Sequence, residues 1–256
     1  WLFHCHIVAH GALGMIGELT VLPKPLQITC PDAIVQSNDP GQCSAVVTFA
    51  ATATGGCGDV AVVCVPPSGS AFPVGTTTVT CTATDGAGHS TQCAFDVTVN
   101  DAQPPLITSS VATSTFWSPN HDLINVGLTT AATDNCPDPV AFNVAVYGDE
   151  DDELPTGDGA FSPDARNIAA GTLRLRAERN QKGDGRVYLI VITATDHAGN
   201  SSAASQTVVV PKSQAQKDVD SVNAQATAAR NYFILHGTPP PGYFLIGDGP
   251  VIGPKQ

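Results

Sequence analysis

The amino-acid sequence predicts an all-β protein that contains two copies of one β-sandwich. Between Leu26 and Asp101, short segments of alternating polarity are separated by turns of Gly, Pro and Asp, which is typical of packed antiparallel sheets. In the segment TTTVTCTAT (76–84), Val79, Cys81 and Ala83 share one face, which we expect to be buried. The second observation is a repeat, since TATDGAGHS at 82–90 recurs as TATDHAGNS at 193–201. We therefore place one domain at 25–102 and a second at 103–211.

The charge balance argues against two classes of partner. Asp and Glu outnumber Lys and Arg by 23 to 11, which gives a net charge of −12. Nucleic acid and anionic membranes repel such a chain, so neither is expected as a partner. No apolar stretch reaches the length of a membrane span, so none is predicted.

The first fifteen residues, WLFHCHIVAHGALGM, concentrate the donor types that copper sites favour: His4, Cys5, His6, His10 and Met15. On an extended strand, Cys5 points to one side while His4 and His6 point to the other, so one segment could serve two metal sites. The alternatives are a zinc site or ordinary strand residues. The order and spacing of the five donors favour copper.

This run resembles the carboxy-terminal copper signature of the multicopper oxidases, the laccase-like family. The resemblance implies that Cys5 and His10 bind a type 1 copper, with Met15 as its axial ligand. It implies that His4 and His6 bind the type 3 coppers of a trinuclear cluster, where electrons from a donor substrate reduce O2 to water. Residues 1–24 would then be the last strand and loop of a cupredoxin domain. The sequence does not identify the electron donor.

The ligand set is incomplete within this sequence. The family needs further histidines in His-x-His motifs, and the remaining histidines, His89, His121, His197 and His236, are all isolated. The chain also begins without Met and without a signal peptide. We therefore expect the missing ligands to precede Trp1, and we expect the chain alone to lack oxidase activity.

Eight cysteines indicate an oxidising, extracellular setting. Setting AVVTFAATATGGC (45–57) beside INVGLTTAATDNC (124–136) aligns Cys57 with Cys136, so we predict a Cys43–Cys57 disulfide and a lone Cys136. The four other cysteines of the first domain permit three pairings. The pairing of Cys30 with Cys93 and of Cys64 with Cys81 is favoured if the first and last strands run parallel.

The first domain also resembles a known module. The stretch CVPPSGS (64–70), then FPVG (72–75) and TTTVTCTATDGAGHSTQC (76–93), with ITCP (28–31) before it, resembles the HYR (hyalin repeat) domain. That resemblance implies an immunoglobulin-like fold associated with adhesion and protein contact, without catalytic residues. The repeat extends the immunoglobulin-like prediction to the second domain.

Four further patterns give predictions. The acidic run GDEDDE (148–153) offers oxygen ligands for calcium, but it lacks the spacing of an EF-hand loop and we favour a solvated loop. Calcium is also an alternative at Asp85 and Asp196, for which we favour Asx-type turns. The arginines of LRLRAERN (173–180) should line the solvent face of a strand. Residues 212–256 should form a short helix followed by a Pro/Gly-rich tail that is disordered or a linker.

Two functions follow. The first is the C-terminal part of a secreted copper-dependent oxidase with appended HYR and immunoglobulin-like domains, which couples one-electron substrate oxidation to O2 reduction. The alternative is an extracellular adhesion or interaction module, with a protein or surface partner and a vestigial copper motif.

Overall fold

A computed structural model describes residues 2–4, 16–18, 24–150 and 161–247, and the chain divides into two compact units, 1–100 and 101–256. The described residues are mostly strands, which confirms the all-β prediction. At the start of the chain, β1 (Leu2–His4) pairs antiparallel with β2 (Ile16–Glu18), with His4 opposite Ile16. Whether this hairpin belongs to a cupredoxin domain stays a prediction.

Among its described residues, the first unit contains eight further strands, which form a four-stranded sheet and two strand pairs. The sheet has the order β4-β10-β9-β7, and the pairs are β3-β6 and β5-β8. The strands are β3 (Gln27–Thr29), β4 (Ile34–Ser37), β5 (Ser44–Val47), β6 (Thr52–Thr54), β7 (Ala61–Val65), β8 (Ser70–Pro73), β9 (Gly75–Thr84) and β10 (Ser90–Asn100). Val79 and Cys81 are buried in the core between these layers and Ala83 is also buried, as predicted.

The second unit repeats this plan and adds a helix. Its sheets have the orders β18-β17-β14-β19 and β12-β16-β15, with a separate pair β11-β13. The elements are β11 (Leu106–Ser110), β12 (Leu123–Asn125), β13 (Thr129–Thr133), β14 (Ala141–Gly148), β15 (Ala165–Arg166), β16 (Arg174–Arg176), β17 (Gly185–Thr195), β18 (Ser201–Pro211), α1 (Gln216–His236) and β19 (Phe244–Ile246).

The repeated sequence forms equivalent hairpins in the two units. The turn between β9 and β10 is closed by Asp85, and the turn between β17 and β18 is closed by Asp196. Asp85 Oδ1 accepts hydrogen bonds from the backbone N–H groups of Ala87 and His89, and Asp196 Oδ1 accepts one from that of Asn200. The pKa of Asp85 is lowered to about 2, above all because its carboxylate accepts a hydrogen bond from the backbone N–H of Cys57. Both residues therefore act as Asx-type turn formers, as predicted.

Helix α1 covers the outer face of the second unit's larger sheet. Val187 packs with Val222 and Ala226 of the helix, and Leu189 packs with Phe233. The alternate residues of β17, such as Ile190, face the sandwich core. The helix ends at Gly237, whose φ of 70° is the left-handed conformation that glycine adopts readily.

The expected tail after the helix is partly structured. β19 pairs antiparallel with β14, with Ile246 opposite Val146. Ile246 is buried in the core of the second unit. Residues 237–247 are therefore not a linker, because the apolar FLI segment completes the edge of a sheet; residues 248–256 lie outside the described part of the chain.

Two disulfides join cysteines within the first unit, Cys30 to Cys93 and Cys64 to Cys81. This is the pairing that we favoured. β4 runs parallel to β10, and Cys64 lies directly opposite Cys81 on β7 and β9.

The predicted Cys43–Cys57 bond is wrong, because Cys57 is a free thiol and Cys43 is disulfide-bonded. The Cys43 carbonyl accepts a bond from Val74, just before β9 begins, whereas Cys57 is tied to Asp85, just after β9 ends. The ten residues of β9 separate these positions by about 30 Å, far beyond the reach of a disulfide. Cys136, which we expected to be unpaired, is also disulfide-bonded.

The prediction that the arginines of LRLRAERN face solvent is wrong for Arg176. Arg174 is exposed, but Arg176 is fully buried together with Leu175. Burial is possible because Asp164 and backbone carbonyls receive the guanidinium: Arg176 Nη1 donates to the His121 carbonyl at 2.8 Å and Nη2 to the Pro163 carbonyl at 2.8 Å.

Candidate interaction surface and metal-ligating residues

The larger sheet of the first unit presents an open outer face, which we call the threonine face. It consists of the outward-pointing residues of β4, β7, β9 and β10. Strand register aligns Val65, Thr80 and Ala94 in one row across the sheet, and Val63, Thr82 and Gln92 in the next. A third row, at the other end, contains Val35, Thr98 and Thr76.

This face is apolar at its edges and almost uncharged. Val35, Val63 and Val65 are 65%, 62% and 67% exposed. Asp96 is the only charged residue in the four strands, and its carboxylate accepts a hydrogen bond from Thr78 at 2.7 Å. Large exposed aliphatic groups around a neutral surface are typical of protein contact sites. The equivalent face of the second unit is covered by α1.

A second feature is a group of three carboxylates in the second unit. One oxygen each of Asp101, Asp134 and Asp196 lies within 4.8 Å of the others. They come from three distant segments: the start of the unit, the end of β13 and the turn after β17. Carboxylate oxygens at this separation can bind one hard divalent cation such as calcium.

The charges and hydrogen bonds of these three carboxylates also favour a bound cation. Asp134 Oδ1 accepts a hydrogen bond from the Asn135 backbone N–H, while Oδ2 is buried and has no hydrogen-bond partner among the described residues. Burial and the charges of Asp101 and Asp196 raise the pKa of Asp134. A cation at this point would relieve both the repulsion and the missing contact.

The structure uses the predicted acidic run differently. Glu150 Oε2 accepts bonds from the Asn180 backbone and from Arg186, each at 2.8 Å, and Asp149 accepts one from the Val187 backbone. These two carboxylates therefore hold strands together. The rest of the run, residues 151–153, lies outside the described part of the chain.

Four of the five predicted copper ligands, Cys5, His6, His10 and Met15, lie outside the described residues, and only the backbone of His4 is described. The copper assignment therefore stays a prediction.

The other histidines of the described chain serve local roles where their contacts are known. His89 Nδ1 lies 3.0 Å from the Asp85 carboxylate, and His121 Nδ1 lies 2.8 Å from that of Glu178.

Sequence reasoning missed the carboxylate group because its members are far apart in the chain. It identified Asp196 as a turn residue and did not consider Asp101 or Asp134. The available signal was that Asp134 and Asp196 each follow a strand that ends in Ala-Thr, in AATDNC and TATDHAG.

Comparison with known proteins identifies the class of the first unit. Residues 23–99 match the HYR domain, so the chain contains one at the position that the sequence predicted. A segment of 85 residues is also 39% identical to the Rattus norvegicus protein "Sushi, von Willebrand factor type A, EGF and pentraxin domain-containing protein 1". That match covers 32% of this chain and 2% of the rat protein.

Solved structures resemble the chain only distantly. The extracellular cadherin domains 3–6 of protocadherin gamma B2 are 13% identical, with a TM-score of 0.36 over 73% of this chain and 47% of that one. Human mucin-like protocadherin EC1-2 is 13% identical, with a TM-score of 0.33 over 72% of this chain and 96% of that one. These likenesses carry no functional argument. Among the described residues, no helix is both long and apolar enough to cross a membrane.

Proposed function

We propose that the chain is part of an extracellular protein-binding module that contacts its partner through the threonine face of the HYR domain. The observation that carries this proposal is the exposure of three valines on an almost uncharged sheet whose counterpart in the second unit is covered by a helix. The two disulfides of the first unit fit an oxidising, extracellular setting. Of the two functions that the sequence suggested, the interaction module has the better support, because an HYR domain is present.

The test compares valine-to-aspartate variants on two different sheets of the first unit. Val63→Asp/Val65→Asp alters the threonine face, whereas Val46→Asp alters β5, where Val46 is 55% exposed on a different sheet. Surfaces coated with the wild-type chain should retain extracellular-matrix proteins or cells, and the double variant should retain them at least about tenfold less, as for loss of a contact hot spot. The Val46 variant should behave as wild type. Equal retention by all three proteins would refute the proposal.

We also propose that Asp101, Asp134 and Asp196 bind calcium. The convergence of three carboxylates and the unpartnered, buried Oδ2 of Asp134 support this site. Calcium should raise the melting temperature of the wild-type chain, since a ligand bound only by the folded state stabilises it. Asp134→Asn should abolish that rise, whereas the exposed Asp138→Asn should keep it. A rise that survives Asp134→Asn would place calcium elsewhere.

A further inference from the structure

A cavity of 330 Å³ lies beside helix α1 in the second unit, and none of its lining residues belongs to either site above; we call it the Asp149 cavity. Its walls come from three segments: the helix, the residue after β14, and the connection from the helix to β19. The lining residues are Asp149, Gln225, Ala228, Ala229, Tyr232, Pro240 and Tyr243. Its volume is at the small end of the range for ligand pockets.

The lining combines one carboxylate with aromatic and aliphatic walls. Asp149 is the only ionisable acid among the lining residues, which include no Lys, Arg or His. Tyr243 is close enough for the Asp149 charge to act on it: burial and that charge raise the pKa of the Tyr243 hydroxyl, which keeps it neutral. A carboxylate and aromatic rings that line the same cavity can attract an organic cation through ion pairing and cation–π contact.

The surrounding charges leave the cavity acidic. Glu150 lies next in the chain, and Asp184 accepts a hydrogen bond from Gln225 at 2.9 Å. The neighbouring cation, Arg186, is engaged by Glu150 at 2.8 Å and by Asp164. Asp149 itself accepts only a backbone bond, from Val187 at 2.9 Å, among the hydrogen bonds of the described chain.

We propose that the Asp149 cavity binds an organic ammonium group, with Asp149 as counter-ion and the rings of Tyr232 and Tyr243 as walls. A free small amine and a lysine side chain of a partner protein share this chemistry. The site goes beyond the proposed function, because it lies in the second unit and involves neither the threonine face nor the carboxylate group.

The test is an NMR titration of the whole chain with n-butylammonium and with Nα-acetyl-lysine methylamide. The NMR signal of the Val187 amide, which donates to Asp149, should shift with both probes if a lysine side chain fits the cavity. It should shift with n-butylammonium alone if the cavity takes only small amines. Neutral butan-1-ol should bind at least about tenfold more weakly, because it lacks the ion pair. Binding of the alcohol as tightly as the amine, or of neither amine, would overturn the proposal.

Variants separate the cavity from general charge effects. Asp149→Asn keeps an acceptor for Val187 and should lower the affinity about tenfold or more. Asp220→Asn removes an equal charge from an exposed site on the same helix and should not alter it. Tyr232→Phe should bind as wild type and Tyr232→Ala more weakly, since the ring face makes the contact. Unchanged binding by Asp149→Asn would also overturn the assignment.

The pH dependence gives an independent readout. Burial above all raises the pKa of Asp149 to about 6, so the carboxylate is ionised at pH 7.5 and about one-tenth ionised at pH 5. Affinity for n-butylammonium should therefore fall about tenfold between these pH values. His236 is the histidine beside the cavity wall, with its ring centroid 4.2 Å from that of Tyr232. The fall should persist in His236→Gln and disappear in Asp149→Asn; the reverse pattern would assign it to the histidine and refute the role of Asp149.

Discussion

At the scale of single residues, buried arginines distinguish the described part of the second unit from that of the first. Arg176, Arg186 and Asp164 are almost completely inaccessible, and Asp164 pairs with both arginines. The sequence could not predict this, because period-2 alternation placed Arg174 and Arg176 on one solvent face. The counter-ion that permits burial lies twelve residues upstream of Arg176, in a segment without a strand pattern. A buried arginine is tolerated only where a carboxylate and carbonyls satisfy it.

Arg176→Met should therefore destabilise the second unit by about 3–5 kcal/mol, because it leaves two buried carbonyls without their donor and removes one of the two arginines that pair with Asp164. Arg174→Met, on the same strand but exposed, should change stability by less than about 0.5 kcal/mol. The free energy of unfolding of both variants can be measured by urea unfolding, monitored by the fluorescence of Trp117 in the second unit. Similar values for the two variants would mean that the buried network contributes nothing to stability.

The copper prediction also belongs to single residues. If Cys5 is a type 1 ligand, Cu²⁺ added to the chain should produce a visible thiolate-to-copper absorption band, and Cys5→Ser should remove it. Cys57→Ser is the matched control, since Cys57 is a free thiol in the first unit. A band that survives Cys5→Ser, or that is lost in the Cys57 variant, would contradict the ligand assignment.

At the scale of elements, the alternation of polar and apolar residues predicted the burial of the β9–β10 hairpin better than that of the equivalent β17–β18 hairpin. In β9, threonines alternate with buried residues because one face of the sheet is open. In β17, the run VYLIVI (187–192) is buried on both faces, since α1 covers the side that is open in the first unit. A continuous apolar run is the sequence signal for such a strand. The helix itself was predictable from its composition, but its docking surface was not.

The helix should stabilise the second unit through Phe233, which is 5% exposed against Leu189 and Val191. Phe233→Ala should cost about 3 kcal/mol, as for a large-to-small change in a core. Leu235→Ala, two residues on and 78% exposed, should cost less than about 0.5 kcal/mol. Urea unfolding of the two variants tests this; equal costs would show that the helix is not anchored by its buried face.

At the scale of the whole molecule, the repeat in the sequence predicted two units, and the chain divides into two compact ones. The block of cysteines marked the first unit as rich in disulfides, but it gave no sign that Cys136 of the second unit is also disulfide-bonded. The carboxylate group was beyond prediction, because Asp101, Asp134 and Asp196 meet only when three separate segments fold together. The units reach stability by different means. The first holds two disulfides on a small core, and the second buries a strand on both faces.

Reduction should therefore affect the two units unequally. Cys30–Cys93 closes 63 residues and Cys64–Cys81 closes 17, and such loops contribute about 4 and about 3 kcal/mol in the chain-entropy account. With a reducing agent, the slowest-exchanging amides of β9 and β10 should exchange at least about a hundredfold faster, because their opening free energy falls by several kcal/mol. The amides of β17 and β18 should change less than about tenfold, since β17 is buried on both faces and the disulfide-bonded Cys136 of the second unit lies on neither strand. Hydrogen exchange read by mass spectrometry resolves the two hairpins in one sample. An equal loss of protection in both would show that packing around β17 does not stabilise the second unit independently of the disulfides.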